Sequence, residues 1–527
     1  MNKILISDKL ADDALALLEK DKGVEYTVKT GLTEEQLAEE LCNYDALIIR
    51  SGTTVTAKVL EKTTRLKIIG RAGVGVDNVD IPAASQKGVI VMNTPDANTL
   101  STCEQTIALI MAAARNTPQA HGSLKAKKWD RSKLTGIELY GKTLGVVGLG
   151  RIGAEVAKRM SSFGMKIIGF DPFVTKERAE EMGIEIMSLA ELFKTADIIT
   201  LHIPKNKDTK DLIGKAQMET MKKNVILINC ARGGIINEQD LYEALKEGRI
   251  QKAALDVFDK EPPFDSPLLE LDNIILTPHL GASTVEAQEK VGTGIVEQVL
   301  EALKGGMVKN AVNIPAIDPE LLKEMQPYLN LNEKLGCFIA QLVDGTIKRM
   351  IIEYSGEALN YDMKIMNIAA IKGVLLPAVG PGVNYVNAKL LAAERGIDVV
   401  HKTTDVKSNF PNLISVTIET DKEKRKVFGI LSVTKEARIV KIDNFELEIA
   451  PDKYMIAYKN MDKPGIIGRV GTILGEKKIN IASFDVGRCK EEKVAMGIIS
   501  VDDDVPADVI ESIKNVADVI EIKFITL

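Results

Sequence analysis

The stretch Leu144-Gly-Val-Val-Gly148-Leu-Gly150-Arg-Ile-Gly153 decides the fold, because an apolar run leads directly into glycines spaced as GxGxxG. Gly148 permits a tight turn, Gly150 lets the backbone approach a pyrophosphate, and Gly153 allows a helix to pack closely on a strand. The N-terminus of that helix offers backbone N–H donors and a positive dipole to phosphate groups. This order of strand, glycine turn and helix predicts a dinucleotide-binding site.

An acidic residue supports the same prediction. The next strand-like run, Lys166 to Phe170, ends at Asp171, close to the offset of about 20 residues at which a carboxylate accepts hydrogen bonds from the ribose hydroxyls. Asp171 would repel a 2'-phosphate, and Pro172, Phe173 and Val174 offer no arginine to receive one. The sequence therefore favours NAD over NADP as cofactor.

Strands alternate with helical patterns on both sides of this motif. Downstream, six strands separated by helices predict a doubly wound parallel sheet; they are Thr143 to Gly148, Lys166 to Asp171, Ile198 to His202, Val225 to Asn229, Ala253 to Val257 and Ile274 to Thr277. Upstream, strand-like runs from Lys3 to Met92 predict a second parallel α/β domain. A helix from Glu286 to Leu303 would carry the chain back to that first domain.

The C-terminal part follows a different pattern. Residues 318–344 are mostly helical, and later runs such as Leu413 to Ile418 alternate apolar and polar residues, which predicts an independent α+β domain. Lys453 to Leu527 shows strand, helix, strand, strand, helix, strand, the order of a ferredoxin-like fold. The predicted class is α/β, with two Rossmann-like or flavodoxin-like parallel-sheet domains forming a cleft. The predicted boundaries are 1–97 plus 283–315, 98–282, 316–451 and 452–527.

Composition limits the class of function. The 527 residues carry a formal net charge of -6, which argues against a nucleic-acid binder because that function needs an excess of Lys and Arg. The five cysteines lack CxxC or metal-ligand spacing, so neither a disulfide framework nor a metal site is expected. We expect no leader peptide and no apolar segment of about 20 residues, and hence no membrane association and a cytoplasmic location.

Three downstream motifs carry groups suited to hydride-transfer chemistry. They are Asn229-Cys-Ala-Arg232-Gly-Gly, Asp256-Val-Phe-Asp-Lys-Glu261-Pro-Pro and Thr277-Pro-His279-Leu-Gly-Ala-Ser. Each follows a predicted parallel strand, so each lies at the carboxyl edge where open α/β sheets bind ligands. Oxidation of a hydroxyl-bearing carbon needs a base, a group that tunes it and a cation for a neighbouring carboxylate.

These three motifs resemble those that carry the catalytic Arg, Glu and His of the D-isomer-specific 2-hydroxyacid dehydrogenase family, and the resemblance covers about residues 1–315. The resemblance implies that Arg232 grips the substrate carboxylate through its planar fork. It implies that His279 carries the proton and that Glu261 hydrogen-bonds His279 and favours its protonated form. The implied cofactor-binding residues are Gly148, Gly150, Arg151, Ile152, Gly153, Asp171, Ile203, Cys230, Asp256 and Ala282.

Arg50 and Arg71 follow strand-like runs in the first domain and would face the cleft. Paired guanidinium groups suit a phosphate. The segments RAGVGVDNVD, NTPDANT and KWDRSKLTGIELYGKTLGVVGLG are similar to those of the family branch that interconverts D-3-phosphoglycerate and 3-phosphohydroxypyruvate with NAD. That resemblance implies a substrate site with an arginine, Arg131, that reaches across a dimer; the implied residues are Arg50, Ser51, Gly52, Arg71, Gly73 and Arg131.

The last segment is similar to an ACT domain, a small-molecule sensor that often pairs with another copy. The similarity rests on Asn460-Met-Asp462-Lys-Pro-Gly and Lys478-Ile-Asn480-Ile-Ala. It implies that Asn460, Asp462 and Asn480 bind an amino-acid effector, L-serine, and that the protein forms a homo-oligomer. Residues 316–451 resemble, more weakly, the intervening domain of the long members of the branch.

Two alternatives stay open from the sequence. The first is another member of the family, such as a glyoxylate or hydroxypyruvate reductase, which has no phosphate to bind. The second is a dinucleotide-sensing binding protein, because the fold alone does not establish catalysis.

Overall fold

The computed structural model describes residues 1–306, 308–315, 319–404, 410–489 and 491–527. Its first sheet contains five parallel strands. Their order is β2-β1-β3-β4-β5, the flavodoxin-like order. The helix Val285–Leu303 returns to this sheet, since a methyl group at Gly70 would lie 2.7 Å from Val299 Cγ2. The elements are β1 (Asn2–Ile6), α1 (Asp12–Lys20), β2 (Val24–Val28), α2 (Glu34–Leu41), β3 (Ala46–Ile49), α3 (Ala57–Glu61), β4 (Ile68–Arg71), α4 (Ile81–Gln86) and β5 (Ile90–Met92).

The second sheet has seven parallel strands in the order β12-β11-β10-β9-β6-β7-β8. The sequence predicts six of them and misses β8, which has only two residues and therefore gives no periodicity. The elements are α5 (Thr99–Arg115), α6 (Thr117–Lys125), a 3-10 turn (Arg131–Leu134), β6 (Thr143–Val147), α7 (Arg151–Ser161), β7 (Lys166–Phe170), α8 (Lys176–Glu181), β8 (Glu185–Ile186), α9 (Leu189–Thr195), β9 (Ile198–Leu201), α10 (Lys215–Thr220), β10 (Ile226–Asn229), α11 (Glu238–Lys246), β11 (Lys252–Leu255), a 3-10 turn (Pro267–Glu270), β12 (Ile274–Leu276) and α12 (Val285–Leu303).

The third sheet is mixed, with six strands in the order β14-β13-β15-β16-β17-β18. Only the β13–β14 pair is parallel. The elements are α13 (Pro319–Leu342), β13 (Ile347–Gly356), a 3-10 turn (Glu357–Asn360), α14 (Met363–Val379), a 3-10 turn (Gly380–Gly382), α15 (Ala388–Glu394), β14 (Asp398–Thr403), β15 (Asn412–Thr420), β16 (Lys424–Leu431), β17 (Ala437–Ile442) and β18 (Phe445–Ile449).

Helix α14 corrects one expectation from the sequence. The segment Met363–Gly382 has a mean hydropathy of 1.4 and is long and apolar enough to cross a membrane by length and composition alone, whereas no apolar segment of about 20 residues is expected from the sequence. The helix instead packs against α13, where a methyl group at Gly373 would lie 2.1 Å from Glu333 O. Its apolar side chains belong to the core of this domain.

The last sheet is antiparallel, with the order β20-β21-β19-β22. Its elements are β19 (Tyr454–Met461), α16 (Ile466–Glu476), β20 (Ile481–Cys489), β21 (Val494–Val501), α17 (Ala507–Lys514) and β22 (Val519–Thr526). The predicted ferredoxin-like order is confirmed. One face packs on its own two helices. The other face, with Met455, Met496 and Ile525, joins the hydrophobic core that contains Phe338 of α13.

The domain boundaries remain predictions, and two of them can be compared with the described residues and the hydrophobic cores. The boundary at 315/316 adjoins residues 316–318, which lie outside the described residues. The boundary at 451/452 separates two segments that share one hydrophobic core. Ion pairs reinforce that contact, since Arg425 Nη1 lies 3.3 Å from Glu521 Oε2 and Lys523 Nζ lies 2.6 Å from Asp344 Oδ1.

Candidate active site

The glycine turn after β6 has the geometry that its spacing predicts. Gly148 has φ +95°, and a methyl group there would lie 2.5 Å from His202 O. A methyl group at Gly153 would lie 2.0 Å from Gly148 O, whereas one at Gly150 would meet nothing within 4 Å. Helix and strand are therefore in close contact at Gly153, and the backbone at Gly150 is open to a ligand.

The N-terminus of α7 is also available. Gly150 is its N-cap and supplies no side-chain hydrogen bond, so the first-turn N–H groups are suited to phosphate oxygens. The side chain of Arg151 is 61% exposed and its Nε lies 2.6 Å from Asp96 Oδ1. Ile152 packs against the apolar core between α7 and the sheet.

Asp171 lies at the end of β7, beside the same turn. Its Oδ2 accepts a hydrogen bond from Leu149 N at 2.8 Å, and its Oδ1 accepts one from Phe173 N at 2.8 Å. Each oxygen keeps a lone pair for a further donor. The open backbone at Gly150, the free helix N-terminus and this fixed carboxylate together fit a dinucleotide with an unphosphorylated ribose.

Four other residues predicted to bind the cofactor have different surroundings. Ile203 contacts the glycine turn, because its Cγ2 would lie 2.8 Å from a methyl group at Gly148. Cys230 is buried, and burial raises the pKa of its thiol to about 12. Ala282 lines the cleft described next. Asp256 is fully buried (0% exposed), and its carboxylate accepts hydrogen bonds from Leu280 N and Gly281 N, directly after His279.

A cleft of about 470 Å³ contains the predicted catalytic residues. His279 Nδ1 lies 2.8 Å from Glu261 Oε2, and Phe258 N donates to Glu261 Oε1 at 3.1 Å. Burial raises the pKa of Glu261, but the hydrogen bonds from His279 and Phe258 outweigh burial and hold that pKa below its ordinary value. Glu261 is therefore a carboxylate at neutral pH, which leaves His279 Nε2 as the free ring nitrogen.

Arg232 extends from the loop after β10 into the same cleft. Its Nε donates to Asp77 Oδ2 at 3.0 Å and its Nη1 to Ala231 O at 2.7 Å, while Asn229 Nδ2 donates to Arg232 O at 2.9 Å. Nη2 points toward Gly75, where a methyl group would lie 2.2 Å away. One edge of the guanidinium is thus held by the protein while Nη2 lies beside Gly75.

Arg71 supplies a second cation. In the described part of the chain its buried Nε has no hydrogen-bond partner. Burial first, and then the charges of Arg232 and Arg50, lower the pKa of Arg71 to about 10, so the guanidinium remains charged at neutral pH. A guanidinium that lines a cleft and has a buried nitrogen without a hydrogen-bond partner is suited to an anion.

Arg50 and Ser51 line the cleft beside Arg71. Asp8 fixes their loop, because its Oδ2 accepts hydrogen bonds from Arg50 N at 2.6 Å and Thr53 N at 3.1 Å. Gly52 lies against Asp8, where a methyl group would be 2.5 Å from Oδ1.

The loop after β4 is fixed in a similar way. Gly73 N donates to Thr94 Oγ1 at 2.9 Å, and Asn93 Nδ2 donates to Val74 O at 2.5 Å. Asp77, Thr94 and Asn93 are not among the site residues predicted from the sequence. Their signal is their position in the two segments that carry the resemblance: Asp77 lies within RAGVGVDNVD, and Asn93 and Thr94 begin NTPDANT.

The remaining predicted residues lie away from this cleft. Arg131 is exposed on a 3-10 turn. Asn460 is buried and donates to Met461 O at 2.7 Å, Asp462 pairs with Arg488 at 2.6 Å, and Asn480 donates to Asp502 at 2.7 Å. Asn460 and Asp462 lie at the carboxyl end of β19, whereas Asn480 precedes β20 at the opposite end of the sheet, beside Val501. One copy of the domain therefore does not bring the three predicted effector-binding residues together.

Comparison with known proteins agrees with this architecture. Residues 107–281 match the D-isomer specific 2-hydroxyacid dehydrogenase NAD binding domain. The structure also resembles D-lactate dehydrogenase of Aquifex aeolicus, solved with NAD and lactic acid (TM-score 0.52, 30% identity, 58% of this chain and 96% of that chain). Fold and site thus define an NAD-binding dehydrogenase of the D-2-hydroxyacid class.

The family models that match the C-terminal half narrow the family further. Residues 324–443 match the D-3-phosphoglycerate dehydrogenase intervening domain and residues 454–518 match the ACT domain. Two proteins named D-3-phosphoglycerate dehydrogenase match this chain over 100% of both chains. The one from Methanocaldococcus jannaschii is 48% identical to it, and the one from Bacillus subtilis is 42% identical. The chain belongs to the D-3-phosphoglycerate dehydrogenase family, in its long form.

Proposed function

We propose that this enzyme oxidises D-3-phosphoglycerate to 3-phosphohydroxypyruvate with NAD, the first step of phosphorylated L-serine biosynthesis. Its full-length relatives carry the name of that activity. The observation that carries the proposal is that Arg50, Arg71 and Arg232 line the same cleft as the His279–Glu261 pair. A substrate with a phosphate and a carboxylate around one hydroxyl-bearing carbon suits that arrangement.

The two anionic ends of the substrate would bind to different arginines. Arg232, whose Nη2 lies beside the loop at Gly75, would hold the carboxylate next to the reacting carbon. Arg71 and Arg50 would hold the phosphate, and the unpaired Nε of Arg71 supports this assignment. The fixed Gly73–Val74 loop would present its backbone to the substrate.

The proton would pass through His279. The bound nicotinamide supplies the chemistry of hydride acceptance. His279 Nε2 would take the hydroxyl proton, and the carboxylate of Glu261 would stabilise the resulting imidazolium through Nδ1. In the reverse direction the same imidazolium would return the proton to the carbonyl oxygen.

We also propose a homo-oligomer in the cytoplasm, with Arg131 reaching the active site of a second copy. Exposed aromatic side chains near Arg131 in the sequence support a covered surface there, since Trp129 and Tyr140 are each 81% exposed. Clustered exposed apolar side chains often mark interaction surfaces. L-serine would bind at an interface between paired ACT domains, where Asn460 and Asp462 of one copy could meet Asn480 of another, and would reduce activity. Linkage then requires that substrate binding and serine binding affect one another equally.

The substrate proposal is tested by NADH oxidation with 3-phosphohydroxypyruvate, hydroxypyruvate and glyoxylate side by side. We expect strong preference for the phosphorylated acid, lost in Arg50→Ala and kept in Arg178→Ala, an exposed arginine paired with Glu181. Equal use of the unphosphorylated acids would favour a reductase of the same family. NADH binding without turnover of any acid would favour a binding protein.

The regulatory proposal is tested by repeating the assay with L-serine. We expect inhibition that Asp462→Ala abolishes and that Asp508→Ala, an exposed residue of the same domain paired with Lys477, preserves. Serine binding, measured by calorimetry, without any change in activity or substrate affinity would contradict the proposed coupling.

A further inference from the structure

Glu238, the first residue of α11, is partly buried and forms a hydrogen bond outside its own helix. Asn237 already caps that helix by accepting a hydrogen bond from Asp240 N at 3.0 Å. Glu238 Oε1 instead accepts one from Asp259 N at 2.6 Å, in the loop after β11. The side chain of Glu238 therefore joins α11 to the loop that carries Glu261.

The surroundings of Glu238 make this contact costly. Burial raises the pKa of Glu238, and the negative charges of Asp259 and Glu261 raise it further. The Asp259 amide and Lys205 act in the opposite direction but do not outweigh burial. A carboxylate held in a partly buried position beside two others destabilises a fold unless it is well hydrogen-bonded. The arrangement therefore needs an explanation other than stability.

Two consecutive amides of the loop after β11 each hold a carboxylate. Phe258 N donates to Glu261 Oε1 at 3.1 Å, and Asp259 N donates to Glu238 Oε1 at 2.6 Å. The first of these bonds orients the carboxylate that meets His279. Because the two planar peptide groups share one Cα atom, the bond to Glu238 also restricts how far the first amide can rotate.

The loop that carries Arg232 packs directly on the same backbone. A methyl group at Gly233 would lie 1.9 Å from Phe258 O and 2.5 Å from Asp259 N. The two loops thus touch backbone to backbone, with no room for a side chain between them. A rotation of the peptide between Phe258 and Asp259 would therefore also press on the backbone beside Arg232.

Lys205 joins a third loop to this contact. It follows β9, and its Nζ lies 2.6 Å from Asp259 Oδ1. A methyl group at Gly234 would lie 2.7 Å from Lys205 Nζ and 2.6 Å from Asp259 Oδ1. The ion pair is partly exposed and adds little to stability, but together with Glu238 it holds the loops after β9, β10 and β11 in contact.

We infer that Glu238 and Lys205 are positioning residues, which hold the loops after β10 and β11 together and so orient Glu261 toward His279. Neither side chain lines the cleft, so both act through the protein and not on the substrate. A displacement of about 1 Å in a catalytic group can lower a rate roughly 100-fold, so this orientation matters for turnover. The inference rests on the proposed function for the role of His279, but the contacts between the loops do not depend on it.

The first test compares Glu238→Ala with Glu238→Gln in the full-length protein. Alanine removes the acceptor for Asp259 N, whereas glutamine keeps one. We expect Glu238→Ala to lower kcat for 3-phosphohydroxypyruvate reduction about tenfold, with KM and NADH affinity changed by less than about threefold. Glu238→Gln should retain most of kcat, and so should the control Glu243→Gln, which changes an exposed carboxylate on the same helix. Unchanged kcat in Glu238→Ala, or equal losses in the alanine and glutamine variants, would overturn the inference.

A double-mutant cycle shows whether Glu238 acts through Glu261. In a Glu261→Gln background the group to be positioned is already changed, so Glu238→Ala should lower kcat there by less than about twofold. A further loss of about tenfold in that background would mean that Glu238 acts independently of Glu261, and it would overturn the inference.

The third test does not depend on turnover, so it separates this inference from the proposed function. The chain has four histidines, and ¹⁵N NMR of their rings reports which nitrogen carries the proton. At a pH where the rings are neutral, we expect a single Nδ1–H form of His279 in the parent and mixed forms in Glu238→Ala. The spectra of His121 and His401 should not change. If Glu238→Ala does not fold, Lys205→Ala replaces it with the same expected direction.

An unchanged His279 spectrum in the folded variant would overturn the inference. A changed spectrum in a protein that reduces none of the three acids would support the inference and overturn only the proposed function.

Discussion

Arg232 Nε donates to Asp77 Oδ2 across 3.0 Å, and this ion pair joins residues 155 positions apart, one after a strand of each parallel sheet. Asp77 is 69% exposed and Arg232 is 30% exposed, so the pair adds little to stability. Its effect is on orientation, because it fixes the plane of the guanidinium that we propose to bind the substrate carboxylate.

Asp77→Ala should therefore lower kcat/KM by about tenfold, the effect of roughly 1.4 kcal/mol on a transition state. Asp77→Asn keeps an acceptor oxygen and should lose less. The check is a double-mutant cycle: in an Arg232→Lys background, where the planar fork is absent, Asp77→Ala should have little further effect. Additive losses in the cycle would show that Asp77 acts independently of Arg232.

The glycine turn provides a matched pair of substitutions. Gly153→Ala places a methyl group 2.0 Å from Gly148 O, where backbone cannot move aside, and should lower the thermal unfolding temperature of the dinucleotide domain. Gly150→Ala meets no atom within 4 Å and should leave stability unchanged while weakening NADH binding at least tenfold, because the methyl group occupies the approach to the pyrophosphate. Equal destabilisation by both would contradict this assignment, and calorimetry with and without NADH distinguishes the outcomes.

Asp171→Ser should reduce the preference for NADH over NADPH. Serine removes the negative charge that repels a 2'-phosphate and also releases the amides of Leu149 and Phe173. We expect NADH to bind more weakly, NADPH to bind no worse, and KM for the acid substrate to stay within about threefold. Titration of both cofactors by fluorescence measures the ratio, and an unchanged preference would mean that Asp171 does not contact the ribose.

Asp45 should contribute stability that depends on pH. Burial raises its pKa, but hydrogen bonds from Arg65, Lys3 N and Lys67 outweigh burial and lower that pKa overall. A carboxyl with a lowered folded pKa stabilises the fold above its unfolded pKa, about 3.9, and this contribution is lost as pH falls through the folded pKa. Asp45→Asn should cost about 1–3 kcal/mol at pH 7 and progressively less in acid.

Denaturant unfolding from pH 7 to pH 3 measures that effect. The matched control is Glu25→Gln, whose exposed carboxylate lies 3.9 Å from Lys3 Nζ and should contribute almost nothing at any pH. A cost for Asp45→Asn that stays constant across the range would mean that the loss comes from packing rather than from charge.

Much of the candidate site is predictable because its residues belong to patterns that are local in the sequence. The glycine turn, Asp171, Arg232, Glu261 and His279 each follow an apolar strand, and parallel strands place their carboxyl ends at one edge. The sequence did not identify Asp77, Asn93 or Thr94. Their partners are remote along the chain, and an aspartate in a loop has many possible partners when only its neighbours in sequence are known.

The sequence by itself determined the two parallel sheets, the dinucleotide turn, the ferredoxin-like order of the last segment and the sheet edge at which the predicted catalytic residues lie. Periodicity and strand ends are local properties of the sequence, so they can be recognised without a structure. Only the tertiary structure decided which residues meet across the cleft, such as Asp77 with Arg232, and that the last two sheets share one core. Those contacts depend on how the helices and strands pack against one another. Packing is determined by shape and burial summed over residues far apart in the sequence.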